Sequence, residues 1–179
     1  MLYSLRHWLG KTINAVGYLC AVLMLLMIIN VFFDVVMRYL FNDVSIGMQE
    51  MEWHLFAGVF LLGIGYTIKE NEHVRVDVFY ENFGPTTRAL VNIIGTVLFL
   101  LPFSGIVAYY GYDFFIESYR LGEKSGDPGG MNFRWIIKSI IPLSFLFNIL
   151  CGIYVVTDQT VLIIESRDKA NKTDPESGL

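Results

Sequence analysis

A chain of 179 residues that is 54% hydrophobic and only 17% charged, with a mean hydropathy of +0.51, has too little polar surface to cover a soluble core. An ordinary soluble domain carries about 25% charged residues, so this composition excludes one and points to the membrane. The net charge of −4, without a basic stripe, excludes nucleic acid as a partner.

Crossing about 30 Å of hydrocarbon takes about 20 helical residues, and four apolar runs are long enough. They lie at about 14–40, 50–69, 88–117 and 135–164. Backbone groups in lipid must bond within the segment, so each run is expected to be a helix, and the fold class is an all-α integral membrane protein. The first run follows Arg6 and Lys11 like a signal peptide. Its apolar core, residues 15–33, is too long for one and no cleavage pattern follows, so it reads as a retained signal anchor. Within it, "INVFFDVVMRYLFND" (29–43) sets Asp34 and Arg38 one turn apart on one face. A proton relay is disfavoured there, because a permanent cation holds its neighbouring acid ionised. Two readings remain: a self-satisfied boundary pair with Arg38 reaching the headgroups, or an anchor against another membrane protein.

A short turn leads to the second span, which opens "QEMEWHLF". Glu50 and Glu52 suit the positive end of a helix, and His54, four residues after Glu50, can bond to it along the helix. His54 is the sole histidine within a span, so bis-histidine haem is excluded on ligand count. The loop "KENEHVRVDVFYENFGPTTR" offers Asp77 as an N-cap, followed by Val78, Phe79 and Phe83 on one face. That pattern predicts a short interfacial helix between spans two and three, ended by Gly84-Pro85. The third span has a small-residue pair, Ser104 and Ala108, with Gly105 and Gly111 beside it. The second has Gly58 and Gly65 on one face, with Gly63 nearby. Such positions mark close helix contacts. The loop "ESYRLGEKSGDPGGMNFR" is turn-rich and alternates in charge through Arg120, Lys124 and Arg134, which suits a transient contact with a soluble partner. Pro102 and Pro142 are expected to bend spans three and four. The polar tail, residues 165–179, is expected to be disordered beyond a membrane domain of residues 1–164.

Orientation follows from Lys and Arg. Eight lie on the side of the termini and of the second loop, and five on the other, which puts both termini in the cytoplasm. Cys20 and Cys151 sit in apolar runs without C-x-x-C spacing. They read as small hydrophobes, not as a disulfide, zinc or redox pair. There is no Walker motif, no nucleophile–base–acid set, no inverted repeat and no pair of broken helices. No cofactor, metal site or enzyme activity is therefore expected. The chain reads as a partner of something larger.

The ordered motifs point further. "RYLFN" is followed by "QEMEWHLF", then "GVFLLGIGYTIKENEHVRVDVF", then "GDPGGMNFRWIIKSIIPLSF". This set, with H-V-R-V-D after span two and W-x-x-K-x-x-x-P opening span four, resembles the small membrane subunit (Q component) of tripartite ATP-independent periplasmic (TRAP) transporters, most of all the sialic-acid members. The resemblance implies a bacterial inner-membrane protein that pairs with a large multi-span subunit carrying the substrate and sodium sites. It also implies a periplasmic receptor that delivers an organic anion, sialic acid or a C4-dicarboxylate, and a scaffold role for this chain. His73, Arg75 and Asp77 fall in a matching cytoplasmic-loop motif without an assigned duty. Asp34, Arg38, Glu50, Glu52 and His54 are the candidates for subunit contact or membrane anchoring, and Arg120, Lys124 and Arg134 for receptor docking. The competing class is a freestanding tetraspan sensor or assembly factor, distinguished by the absence of neighbouring genes for a large permease and a receptor.

Overall fold

The structure, a computed structural model, describes residues 2–70 and 83–173, with side chains described through Asp168. His73, Arg75, Asp77 and the expected interfacial helix lie outside the described residues, as do residues 174–179 of the tail. Every regular element among the described residues is helical: α1 (Leu2–Leu40), α2 (Ile46–Glu70), α3 (Pro85–Gly95), a π-helical turn (Thr96–Leu100), α4 (Leu101–Leu121) and α5 (Arg134–Thr173). Helix α3, the π turn and α4 form one continuous span, so four helices are long and apolar enough to cross a membrane. The α1–α2 turn and the loop at 122–133 share one end of the molecule, here the hairpin end. The opposite end, the termini end, holds the start of α1 and the last turns of α5.

Local chemistry sets the boundaries. Asn42 adopts a left-handed backbone (φ 51°) that stops α1, and Ser45 Oγ accepts the Met48 amide at 3.4 Å to cap α2. Pro85, at the first helical position of α3, has no amide hydrogen to leave unpaired. Helix α4 ends at left-handed Gly122. The Gly122 and Glu123 amides donate back to Tyr119 O and Ser118 O, both at 3.1 Å, which satisfies the last carbonyls. Pro102 cannot donate to the carbonyl of Leu98, and its ring crowds that position. The helix widens just before it, so the Leu101 amide reaches Thr96 O, five residues back. The expected effect of Pro102 thus takes the form of a π turn, while α5 runs on through Pro142.

All four spans run past their expected bounds, the second and third by a few residues and the first and last by much more. Helix α1 begins at Leu2 rather than near residue 14, and α5 continues to Thr173, past the anticipated boundary at 164. They pair beyond the apolar zone: Arg6 meets Asp158 at 2.7 Å, and the Tyr3 hydroxyl donates to Glu165 at 3.2 Å. Leu9, Ile13 and Val161 are buried in the same stretch.

Helix α5 is the centre of the bundle and touches every other span. A third of its apolar stretch (33%) is buried, against 11% for the first and third spans, which therefore turn most of their surface outward. Close approach depends on small residues. A Cβ at Gly65 would stand 2.5 Å from the Phe147 ring, and one at Gly152 would stand 2.8 Å from Leu101. Ser104, Ala108 and Gly111 are buried on α4, with Gly111 against Ile141 and Pro142. Gly58 and Gly65 are buried as their spacing suggested, whereas Gly63 and Gly105 face open space.

That contrast is testable. Gly65→Val forces a branched side chain into Phe147 and is expected to cost about 1–3 kcal/mol, the usual range for overpacking. Gly63→Val has room and should change little. Thermal unfolding of both variants in one detergent, followed by tryptophan fluorescence, checks the pair; equal midpoints would refute the packing assignment.

Candidate functional site

Polar side chains collect at the two ends of the bundle. At the hairpin end, Glu50 on the first turns of α2 is buried, and both of its oxygens reach the loop at 122–133. Ser125 Oγ donates to one, and the Met131 amide donates to the other at 2.5 Å. Gly130 permits this: a Cβ there would stand 2.9 Å from Glu50 Oε2. The loop adds its own bonds, Ser125 N–H to Met131 O and Gly130 N–H to Asp127 O, both 3.0 Å. Turn-rich sequence has therefore produced a loop that is irregular but cross-tied to α2.

The sequence pairing of Glu50 with His54 takes a different form. His54 Nδ1 donates to the backbone carbonyl of Glu50 at 2.5 Å, leaving the carboxylate free for the loop. His54 Nε2 is buried without a partner among the described residues, and its ring lies against Trp53 with centroids 4.5 Å apart. Glu52 is half-buried. Asp34 and Arg38 meet at 2.5 Å, with the Asp34 side chain 6% exposed and that of Arg38 42% exposed. The acid faces into this chain, beside Asp43 and Ser45 of the α1–α2 turn, and the guanidinium faces out. Asn30 Nδ2 donates to Met48 O at 3.0 Å and ties α1 to α2 below them.

The loop charges divide into two groups. Arg120 and Lys124 are exposed. Arg134 is half-buried and stacks over Trp53 at 5.9 Å, so it serves α2 packing. Glu123, an acid of the same loop, accepts from Lys138 Nζ and, at 2.7 Å, from Ser118 Oγ. Sequence reasoning missed Ser118, Ser125 and the Met131 amide. No helical or strand periodicity links Glu50 to residues some 75 positions later in the chain. Among the described residues no cluster of three or more His, Cys, Asp or Glu could hold a metal.

Along the spans, three buried hydroxyls bond within their own helices. Ser144 donates to Ile141 O at 2.9 Å, Thr157 to Ile153 O at 2.8 Å and Thr96 to Asn92 O at 2.7 Å. Ser104 Oγ and Asn148 Oδ1 are buried without partners among the described residues, at the close packing of α4 and α2 on α5.

The family model for tripartite ATP-independent periplasmic transporters, DctQ component, matches residues 27–160. The chain belongs to this family. A relative in Haemophilus influenzae, named as a TRAP transporter small permease protein, is 30% identical over 149 residues, covering 83% of this chain and 91% of its own. The resemblance in the motif order thus stands, and the chain is a transport component with a multi-pass membrane fold. A DctQ component works within a system that also has a large membrane subunit and a substrate-binding protein. The matched range takes in Asp34, Arg38, Glu50 and the tied loop, and leaves out residues 2–26 of α1.

The loop tie has a pH signature. Hydrogen bonds from Lys138 and Ser118 hold the Glu123 carboxyl below the ordinary carboxylate range. A lowered folded pKa stabilises fully above the unfolded value of about 4.3 and fades as pH falls through the lowered one. Lys138→Met removes the larger cause, so the acid-induced loosening of residues 122–133, followed by amide exchange, is expected at higher pH than in wild type. Coincident transitions would show that Lys138 does not hold the loop.

Proposed function

We propose that this chain is the static scaffold subunit of a sodium-coupled, binding-protein-dependent TRAP transporter of the bacterial inner membrane, importing an organic acid. The observation that carries the reading is the placement of polar groups. A substrate pathway needs convergent polar side chains near the bilayer midplane, reachable from each side in turn. Here the charged pairs sit at the two ends; between them the Ser144 hydroxyl is taken up by its own helix, and buried Ser104 and Asn148 are uncharged groups within the helix seams. Substrate and sodium sites are then assigned to the large subunit. Sialic acid is favoured over a C4-dicarboxylate on the motif resemblance alone. The positive-inside count supports cytoplasmic termini and a periplasmic loop at 122–133, which would let exposed Arg120 and Lys124 meet the receptor.

Reconstitution separates scaffold from carrier. The chain alone in liposomes, given a sodium gradient, receptor and labelled sialic acid, is expected to take up nothing; adding the large subunit should start uptake. With Arg120→Glu and Lys124→Glu, uptake should fall at limiting receptor and recover at saturation. Sodium-dependent uptake by the chain alone would overturn the scaffold reading, and receptor curves identical to wild type would remove the two cations from docking.

Arg38, half-exposed beside a buried acid, is assigned to the contact with the large subunit. Arg38→Glu sets like charges one turn apart, whereas Arg38→Ala only leaves Asp34 unpaired. Co-purification of the large subunit should therefore drop further for Arg38→Glu. Undiminished yield in both variants would restrict the pair to a role within this chain.

A further inference from the structure

At the termini end, α1, α2 and α5 line a cleft of about 520 Å³ with Arg6, His7, Lys11, Asn14, Lys69 and Tyr154, and no acidic side chain lines it among the described residues. Two of its cations are held in place. Arg6 is fixed by Asp158 at 2.7 Å, while Lys69 Nζ donates to Asn14 Oδ1 at 2.6 Å and to Glu70 at 2.7 Å. Lys11 is exposed and makes no hydrogen bond or ion pair with any described residue. The apolar core of the first span begins at Ala15 and that of the second ends at Ile68. Lys11, Asn14 and Lys69 therefore stand where hydrocarbon gives way to headgroups, at the depth of lipid phosphate.

Next to this cleft lies a second cavity of about 590 Å³, which shares Lys69 and Tyr154 with it. Its walls mix apolar side chains from α2, α3 and α5 (Ile64, Ile68, Val91, Val155) with polar ones, among them Thr96 and Asp158, whose carboxylate is already taken by Arg6. Gly95 also lines it, and a Cβ there would meet nothing within 4 Å. A cationic cleft joined to a partly apolar slot, both at the membrane boundary, matches one kind of amphiphile. We propose that the cleft binds the phosphate of an anionic phospholipid, with an acyl chain of that lipid lying in the adjoining slot.

The chemistry is direct. Ammonium and guanidinium groups lining one cleft suit an anion with several oxygens, and basic pockets between membrane helices take phosphate headgroups in this way. A zwitterionic lipid gains less, since its own cation opposes the cleft. Lys11 meets the phosphate without first breaking a pair. The α1 residues of the cleft precede the range matched by the family model, while Lys69 and Tyr154 lie inside it.

The test uses the full chain in mild detergent, titrated with phosphatidylglycerol, phosphatidylcholine or inorganic phosphate and read by native mass spectrometry. Phosphatidylglycerol should bind in preference to phosphatidylcholine. Lys11→Gln should weaken it about five-fold, the usual worth of one surface cation near anionic lipid, and Lys11→Arg should restore it. Gly95→Leu, which fills the slot without a clash, should weaken phosphatidylglycerol and leave inorganic phosphate unaffected. Inorganic phosphate binding that depends on Lys11, with no preference for phosphatidylglycerol, would assign the cleft to the free anion and overturn the lipid. Equal binding of the two lipids, or indifference to both Lys11→Gln and Gly95→Leu, would overturn the site. A loss of large-subunit co-purification in Lys11→Gln, with lipid retention unchanged, would assign the cleft to a protein partner instead.

Discussion

Inside a bilayer an apolar side chain gains nothing by leaving lipid for a neighbouring helix, so helices must be held by contact distance and not by burial of oil from water. That constraint explains why α5 is the element around which the others are arranged. Gly65 lets α2 approach Phe147, Gly111 lets α4 approach Ile141 and Pro142, and Gly152 on α5 receives Leu101. Buried Ser104, Ala108 and Ser144 continue the same seams with short side chains. Dispersion energy falls off steeply with separation, so these positions decide whether the spans hold together. The outward faces of α1 and of the third span are left to lipid or to a partner, and they are apolar throughout, from Val22 to Phe33 and from Leu98 to Tyr110.

Charge finishes what packing begins. The loop at 122–133 has little apolar content, so it is located by bonds: Glu50 accepts from Ser125 and Met131, and Glu123 accepts from Ser118 and Lys138. An alternating run of loop charges therefore conceals two populations. Glu123, Lys138 and Arg134 serve the chain itself, while Arg120 and Lys124 stay exposed. Because the inward group fixes the loop, the outward pair is presented from a defined backbone, which lowers the ordering cost of meeting a partner.

The spans were legible because hydropathy over about 20 residues is a one-dimensional signal that the bilayer itself imposes. Helix-face spacing found Gly58, Gly65, Ser104 and Ala108 for the same reason. It gave Gly63 and Gly105 equal weight, since spacing cannot tell which face of a helix meets a neighbour. The π turn before Pro102 was legible only as a generic bend. The extension of α1 to Leu2 and of α5 to Thr173 was not legible, because their mutual support comes from Arg6–Asp158 and Tyr3–Glu165, pairs drawn from opposite ends of the chain. Glu50 was placed on local grounds, at a helix N-terminus and beside His54, but α2 begins earlier, at Ile46, with no acid in its first turn, and His54 bonds the Glu50 backbone carbonyl instead of the carboxylate. Its distant loop partners lie outside what any local pattern encodes.

Fixing a helix bundle from both ends has a mechanical consequence. At the hairpin end, α1 is tied to α2 by Asn30 and Met48, and α2 to the 122–133 loop by Glu50. At the termini end, α1 is tied to α5 by Arg6–Asp158 and to α2 by Lys69–Asn14. Between these ties runs an apolar stretch in which no charged side chain interrupts residues 15–33. Sliding one helix past another would break bonds at both ends together, whereas the apolar face between them offers a neighbour no polar group to hold. A partner that must move can slide along such a surface at little cost, while the surface keeps its own shape. Rigidity at the ends and neutrality in the middle are the two properties that the proposed scaffold role requires.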